Sequence, residues 1–114
     1  MSDRGSAAEQ LAADYLAARG LRVIARNYRV RGGEVDLVCE DGRTLVFVEV
    51  RLRTNDRFGG AGASITAAKR RRLILAARNY LAGKVETPCR FDAVLLDRLD
   101  AGHIEWIRDA FAAD

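Results

Sequence analysis

Glu34, Asp36 and Glu49 are the side chains in this sequence best suited to hold a cation. They fall in "GGEVDLVCEDGRTLVFVEVR", residues 32–51, two apolar runs divided by Asp41-Gly42, a dipeptide favoured in tight hairpin turns. In the simplest symmetric hairpin across that dipeptide Glu40 faces Arg43. Glu34 then lies directly opposite Glu49, with Asp36 diagonal to it on the same face. Carboxylates held this close must repel, share a proton or find a cation. Hard divalent ions prefer oxygen ligands and are often held by one or two carboxylates plus phosphate oxygens and water, so Mg2+ or Mn2+ is the expected occupant. A plainer arrangement stands equally open at this point: Arg31, Arg51 and Arg53 could neutralise the acids in an exposed ion-pair network.

The elements that must position these acids follow from periodicity. "SAAEQLAADYLAARG" has helical spacing, with Ala8, Leu11, Ala12, Tyr15 and Leu16 on one face, a capping box from Ser6 and Glu9, and Gly20 as its stop. "LRVIARNY" reads as a first strand, with the two hairpin strands at 34–40 and 44–53. Alternation puts Val35, Leu37 and Cys39 behind the acids and sets Arg51 and Arg53 beside Glu49. A loop at 54–64 leads to a second helix, "TAAKRRRLILAARNYLAG", whose first turns carry Lys69, Arg70, Arg71 and Arg72. "CRFDAVLLD" and "HIEWI" read as fourth and fifth strands, and "RDAFAAD" as a short terminal helix. The order helix, three strands, helix, two strands predicts an α/β fold: a mixed sheet flanked by helices, with a crossover through the second helix.

Composition narrows the field. At 114 residues one domain spanning 1–114 is expected, and 49% hydrophobic with 31% charged residues is a globular balance. The net charge of +3 rests on 17 arginines and two lysines, an excess that permits a polyanionic partner without demanding one. No apolar run has the length of a membrane span and the N-terminus lacks the apolar core of a signal peptide, so a cytoplasmic protein with no membrane partner is expected. Cys39 and Cys89 sit in strand-like runs and are expected as buried free thiols, since the single His103 cannot build a zinc site with them. Phe91 and Trp106 read as core.

The stretch "GGEVDLVCEDGRTLVFVEVRLR", with "AAEQLAADYLAARG" before it and "ITAAKRRRLILAARNYL" and "RFDAVLL" after it, resembles the YraN-type family of small bacterial proteins. The resemblance runs from about Ser6 to Phe111. That family is a branch of the restriction-endonuclease-like fold, similar to archaeal Holliday-junction resolvases. The resemblance implies that Asp36 of "GEVD" is the central metal-binding aspartate with Glu34 beside it. It implies that Glu49 of "VEVR" is the second ligand and that Glu9 is the helix-one glutamate that resolvase-like members add to the site. Glu9 has an equal claim as a cap. Arg51 departs from the wider pattern, which has lysine there to steady charge on the scissile phosphate. An arginine can supply charge and bidentate phosphate contacts, but it cannot act as a general base. Lys69 could replace that lysine, although it reads more readily as a solvated residue or a generic phosphate contact within a charge run.

The catalytic candidates are therefore Asp36, Glu49, Arg51, Glu34 and Glu9, with Asp36 and Glu49 as metal ligands. Lys69, Arg71 and Arg72, with Arg53 and Arg57 extending the rim beside the glycine-rich "RFGGAGAS", could grip a phosphate backbone. Arg90 and Asp92 read as a structural pair. The leading expectation is a metal-dependent DNA endonuclease or resolvase-like phosphodiesterase. Branched DNA and a homodimer are what the resolvase resemblance implies. The rival is a noncatalytic nucleic-acid-binding protein that keeps the nuclease fold and lost turnover through Arg51, and a third is a protein-interaction domain with merely superficial acids.

Overall fold

The computed structural model describes residues 3–52 and 65–113. Helix α1 (Asp3–Ala18) precedes strands β1 (Arg22–Val30), β2 (Gly33–Asp41) and β3 (Thr44–Leu52). Helix α2 (Ala67–Leu81), strand β4 (Cys89–Leu96), a 3-10 turn and strand β5 (Ile104–Phe111) follow. The sheet order is β1-β2-β3-β4-β5. Only β3 and β4 run parallel, because α2 carries the chain back across the sheet between them. This is the mixed five-stranded α/β architecture, in the element order expected from the sequence.

The two faces of the sheet bury different residues. Leu37, Cys39, Val46, Val48, Val94 and Leu96 pack beneath Ala8, Ala12 and Leu16 of α1. Val35, Val38, Phe47 and Phe91 pack beneath Leu73, Ala76 and Ala77 of α2. Val35 thus belongs to the α2 face while Leu37 and Cys39 belong to the α1 face. The alternation expected to keep all three together slips by one residue next to Asp36. A matching irregularity lies on β1, where Asn27 takes a left-handed φ of 52° between Arg26↔Leu37 and Tyr28↔Val35.

Three further expectations are corrected. The hairpin loop is Gly42-Arg43, flanked by the pair Asp41↔Thr44, not Asp41-Gly42. Gly42 has φ +60° while Arg43 stays out of the left-handed region, the pattern of a II′ turn, whose first loop position favours glycine. Residues 108–111 continue β5 instead of forming a terminal helix, because pairing with β4 stacks Phe111 on Phe91 at 5.0 Å between ring centroids. Cys39 is a buried free thiol as expected, pushed up to about 12 chiefly by burial, but Cys89 is exposed.

The far edge of the sheet is fastened through Asp92, which is fully buried and accepts from Arg90 Nε (3.0 Å), Trp106 Nε1 (2.9 Å) and the Asp109 amide (2.9 Å). Such a carboxylate is tolerable in the interior only because donors surround it. Arg90 also reaches Asp41 at 2.9 Å, so "RFD" is a structural unit that ties β4 to the hairpin turn and to β5.

On the opposite flank, α2 lies against the start of β2. A Cβ on Gly33 would come within 2.6 Å of Arg72 O and 3.0 Å of Ala76 N, both backbone atoms that cannot swing aside. The expected outcome for Gly33→Ala is a loss of about 1–3 kcal/mol in urea denaturation, the usual cost of overpacking, with α2 displaced from β2 in amide chemical shifts.

Candidate functional site

Asp36 and Glu49 meet where the β2–β3 ladder ends. Residue numbers of paired partners run Asp41↔Thr44 to Leu37↔Val48, two positions away from the symmetric hairpin expected, so Asp36 and not Glu34 continues the register opposite Glu49. A shift of two preserves the faces and exchanges the partner. Glu34 instead pairs across β1 with Arg29, whose Nε lies 2.7 Å from Glu34 Oε2.

Asp36 is held by the backbone of the neighbouring strand. The Val50 amide donates to Asp36 Oδ2 at 2.8 Å, just beyond the Leu37↔Val48 pair that ends the ladder between the two strands. Asp36 and Glu49 also share a side-chain hydrogen bond. Both carboxyls are raised above their ordinary values: burial is the main cause for each, and Asp36 further raises Glu49, to about 8. Lys69 and Arg51 pull Glu49 back down by their charge.

Lys69 owes its place to a helix cap. Thr66 Oγ1 accepts from the Lys69 amide at 3.2 Å, opening α2 so that Lys69 and Arg72, one turn apart, project toward β2 and β3. Lys69 Nζ lies 3.9 Å from Glu49 Oε2. Glu34, Glu49, Lys69 and Arg72 line a cavity of about 230 Å³. Lys69 is therefore a member of the acid site and not a solvated residue in a charge run. Arg71 is exposed and outside that lining. Arg53 and Arg57, together with the glycine-rich stretch, lie outside the described residues.

Glu9 also joins the cluster. Helix α1 begins at Asp3, so Ser6 lies inside the helix and cannot be its N-cap, which removes the capping box. Glu9 is instead buried, at 9% exposure, and raised mainly by that burial and then by the charge of Asp36. The side-chain amide of Asn27, a residue absent from the candidates expected above, partly offsets that rise. The sole signal for it was that asparagine tolerates the left-handed region better than most residues.

The donor set suits a hard divalent cation held by few protein ligands. Among the described residues no group of three or more His, Cys, Asp or Glu side chains is placed to hold a metal ion, and Asp36 and Glu49 are two carboxyls that lie together. Two polar atoms beside them, Asn27 Oδ1 and Arg51 Nε, are buried with no hydrogen-bond partner among the described residues. An orphaned acceptor and an orphaned donor flanking two proton-sharing acids fit a site that receives an oxygen-rich, charged guest.

A family model described as uncharacterised protein family UPF0102 matches residues 8–96. The chain belongs to the UPF0102 family. Relatives at full length agree: a UPF0102 protein of Dechloromonas aromatica (strain RCB) is 60% identical over 97% of this chain and 90% of its own. Another, of Methylobacillus flagellatus, is 58% identical over 99% of this chain and all of its own. A third, of Nitrosomonas europaea, is 56% identical over 96% and 93% respectively. The UPF0102 match contains every acid of the site, Glu9 through Glu49, together with Lys69 and Arg72.

No helix in the described residues is long and apolar enough to cross a membrane. For this UPF0102 chain the raised acids carry a stability signature. A folded carboxyl whose proton is held more tightly than in the unfolded chain favours folding at low pH, and that benefit is lost as pH rises from the ordinary 4.5 through about 8. In chelator, wild-type stability is expected to fall across that interval by at most about 1.4 kcal/mol per pH unit for one proton. Glu49→Gln should flatten the dependence; urea denaturation at a series of pH values checks it.

Proposed function

We propose that this protein is a Mg2+- or Mn2+-dependent DNA endonuclease, a resolvase-like phosphodiesterase. The observation that carries the reading is the Asp36–Glu49 contact, two half-buried carboxyls on adjacent strands sharing a hydrogen bond within reach of Lys69. Facing acids at such a position are costly unless a cation or a proton sits between them. A bound divalent ion would supply an activated water and offset charge on the scissile phosphate.

The chain's own residues divide the remaining work. Asp36 and Glu49 hold the ion, and Glu9 and Glu34 add negative charge around it. Arg51, whose Nε has no partner among the described residues, offers a donor to a phosphate oxygen, the role open to an arginine that cannot serve as a base. Lys69 supplies the ammonium that the wider fold places at position 51. Arg72 lines the same cavity, and Arg71 extends the basic surface of α2 toward a phosphate backbone. The similarity to Holliday-junction resolvases favours branched DNA, with a homodimer to cut two strands symmetrically and a cytoplasmic location to match. One observation favours the rival reading, a noncatalytic DNA-binding protein: the lysine position of the motif holds Arg51.

Labelled branched, single-stranded and duplex DNA incubated with Mg2+, Mn2+ or chelator separates the two. Cleavage should require the metal and fall at least about 100-fold in Asp36→Asn and in Lys69→Ala, the scale of removing one charge-stabilising group. Arg51→Lys should retain activity. Cleavage that persists in chelator or in Asp36→Asn overturns the metal mechanism, and salt-sensitive binding without any cleavage establishes the rival.

A further inference from the structure

Asn27 is strained within its strand. It is not glycine, yet it holds φ 52° in the interior of β1, a left-handed conformation that costs free energy and persists only where surrounding structure imposes it. The β1–β2 register, running from Tyr28↔Val35 to Arg26↔Leu37, brings it opposite Asp36. Its side-chain amide lies near enough to Glu9 to favour that carboxylate's charged form, and because a carboxylate can only accept, Nδ2 is the end that faces it. That assignment leaves Oδ1 turned inward, buried and without a partner among the described residues.

Two explanations divide cleanly. In the first, the left-handed turn exists only to let the strand faces slip beside Asp36, and the side chain is incidental. In the second, the side chain is the purpose and the backbone strain is tolerated to deliver it. The orphaned Oδ1 weighs against the first: a structural asparagine in a folded interior pairs both ends of its amide, since an unmet buried acceptor is destabilising.

We infer that Asn27 is a positioning residue of the acid site, holding Glu9 beside Asp36 through Nδ2 and presenting Oδ1 as a neutral oxygen to the cation that Asp36 and Glu49 bind. This rests on the metal reading above. Neutral amide oxygens are ordinary partners for hard cations and their hydration shells, and a neutral donor adds an oxygen to a crowded set of carboxylates without adding charge. Glu9, fixed from α1, and Asn27, fixed from β1, thereby bring two further elements to a site otherwise built on β2 and β3.

Asn27→Gly discriminates between the explanations, because glycine adopts the left-handed conformation freely and removes only the side chain. The expected result by calorimetric titration with Mn2+ is an affinity at least about tenfold weaker than wild type, in the range of losses seen when groups orienting metal ligands are removed. Thermal stability should be equal or higher. Glu9→Gln should weaken Mn2+ comparably, and the double variant should lose little more than either single one, as expected for two groups acting together. Unchanged Mn2+ affinity in a folded Asn27→Gly protein overturns the proposal and leaves the metal reading intact. Absence of Mn2+ binding by the wild type overturns both. Should Asn27→Gly fail to fold, the wild type decides: Mg2+ addition should shift the Asn27 side-chain amide resonance in an NMR titration, and a resonance that stays in place while those of Asp36 and Glu49 move overturns the proposal.

Discussion

The structure turns on one unfavourable contact: Asp36 and Glu49, facing each other across the end of the β2–β3 ladder and partly withdrawn from water. Two ionised carboxylates in that position would repel more strongly than they would in bulk solvent, because the lower local dielectric magnifies the repulsion. A shared hydrogen bond, the Val50 amide and the charge of Lys69 reduce the cost without removing it. A hydrophobic pair would be the stable choice at this place in a sheet, which is the ground for the proposed cation.

The rest of the fold is arranged to hold that contact still. The II′ turn at Gly42-Arg43 sets the register that puts Asp36 opposite Glu49. Parallel pairing with β4 holds β3, and β4 is itself fastened through the buried Asp92 to Trp106 and Asp109. Gly33 lets α2 approach closely enough for Lys69 to reach Glu49, while α1 buries Glu9 against the same end of the sheet. The acids thus sit on strands, where geometry is better defined than on loops, and the cations come from a helix capped at Thr66.

Much of this was legible in the sequence, and the failures are instructive. Alternating valines around an aspartate-glycine dipeptide revealed the hairpin, and helical spacing revealed both helices. The register was misplaced by two because Asp41-Gly42 looked like the loop when glycine was needed one place earlier within Gly42-Arg43. A shift of two changes partners and not faces, so Glu49 still meets an acid, Asp36 in place of Glu34, while the slip in alternation beside Asp36 left no sign in the sequence. Glu9 was obscured by a plausible cap, and Lys69 by its arginine neighbours, since neither burial nor the approach of α2 over Gly33 is visible in one dimension. Asn27 was invisible for a different reason: a left-handed residue inside a strand is imposed by tertiary structure and leaves no periodic trace. The expected terminal helix lost to pairing with β4, where Phe111 finds Phe91.

The central claim, that Asp36 and Glu49 form a divalent-cation site, is most directly tested by paramagnetic broadening with substoichiometric Mn2+ in an NMR spectrum of the isotope-labelled protein. The account predicts that the resonances of Asp36, Glu49 and Val50 broaden first, and that Asp36→Asn abolishes the effect. Broadening centred elsewhere on the sheet, or spread evenly over the acidic surface, would contradict it.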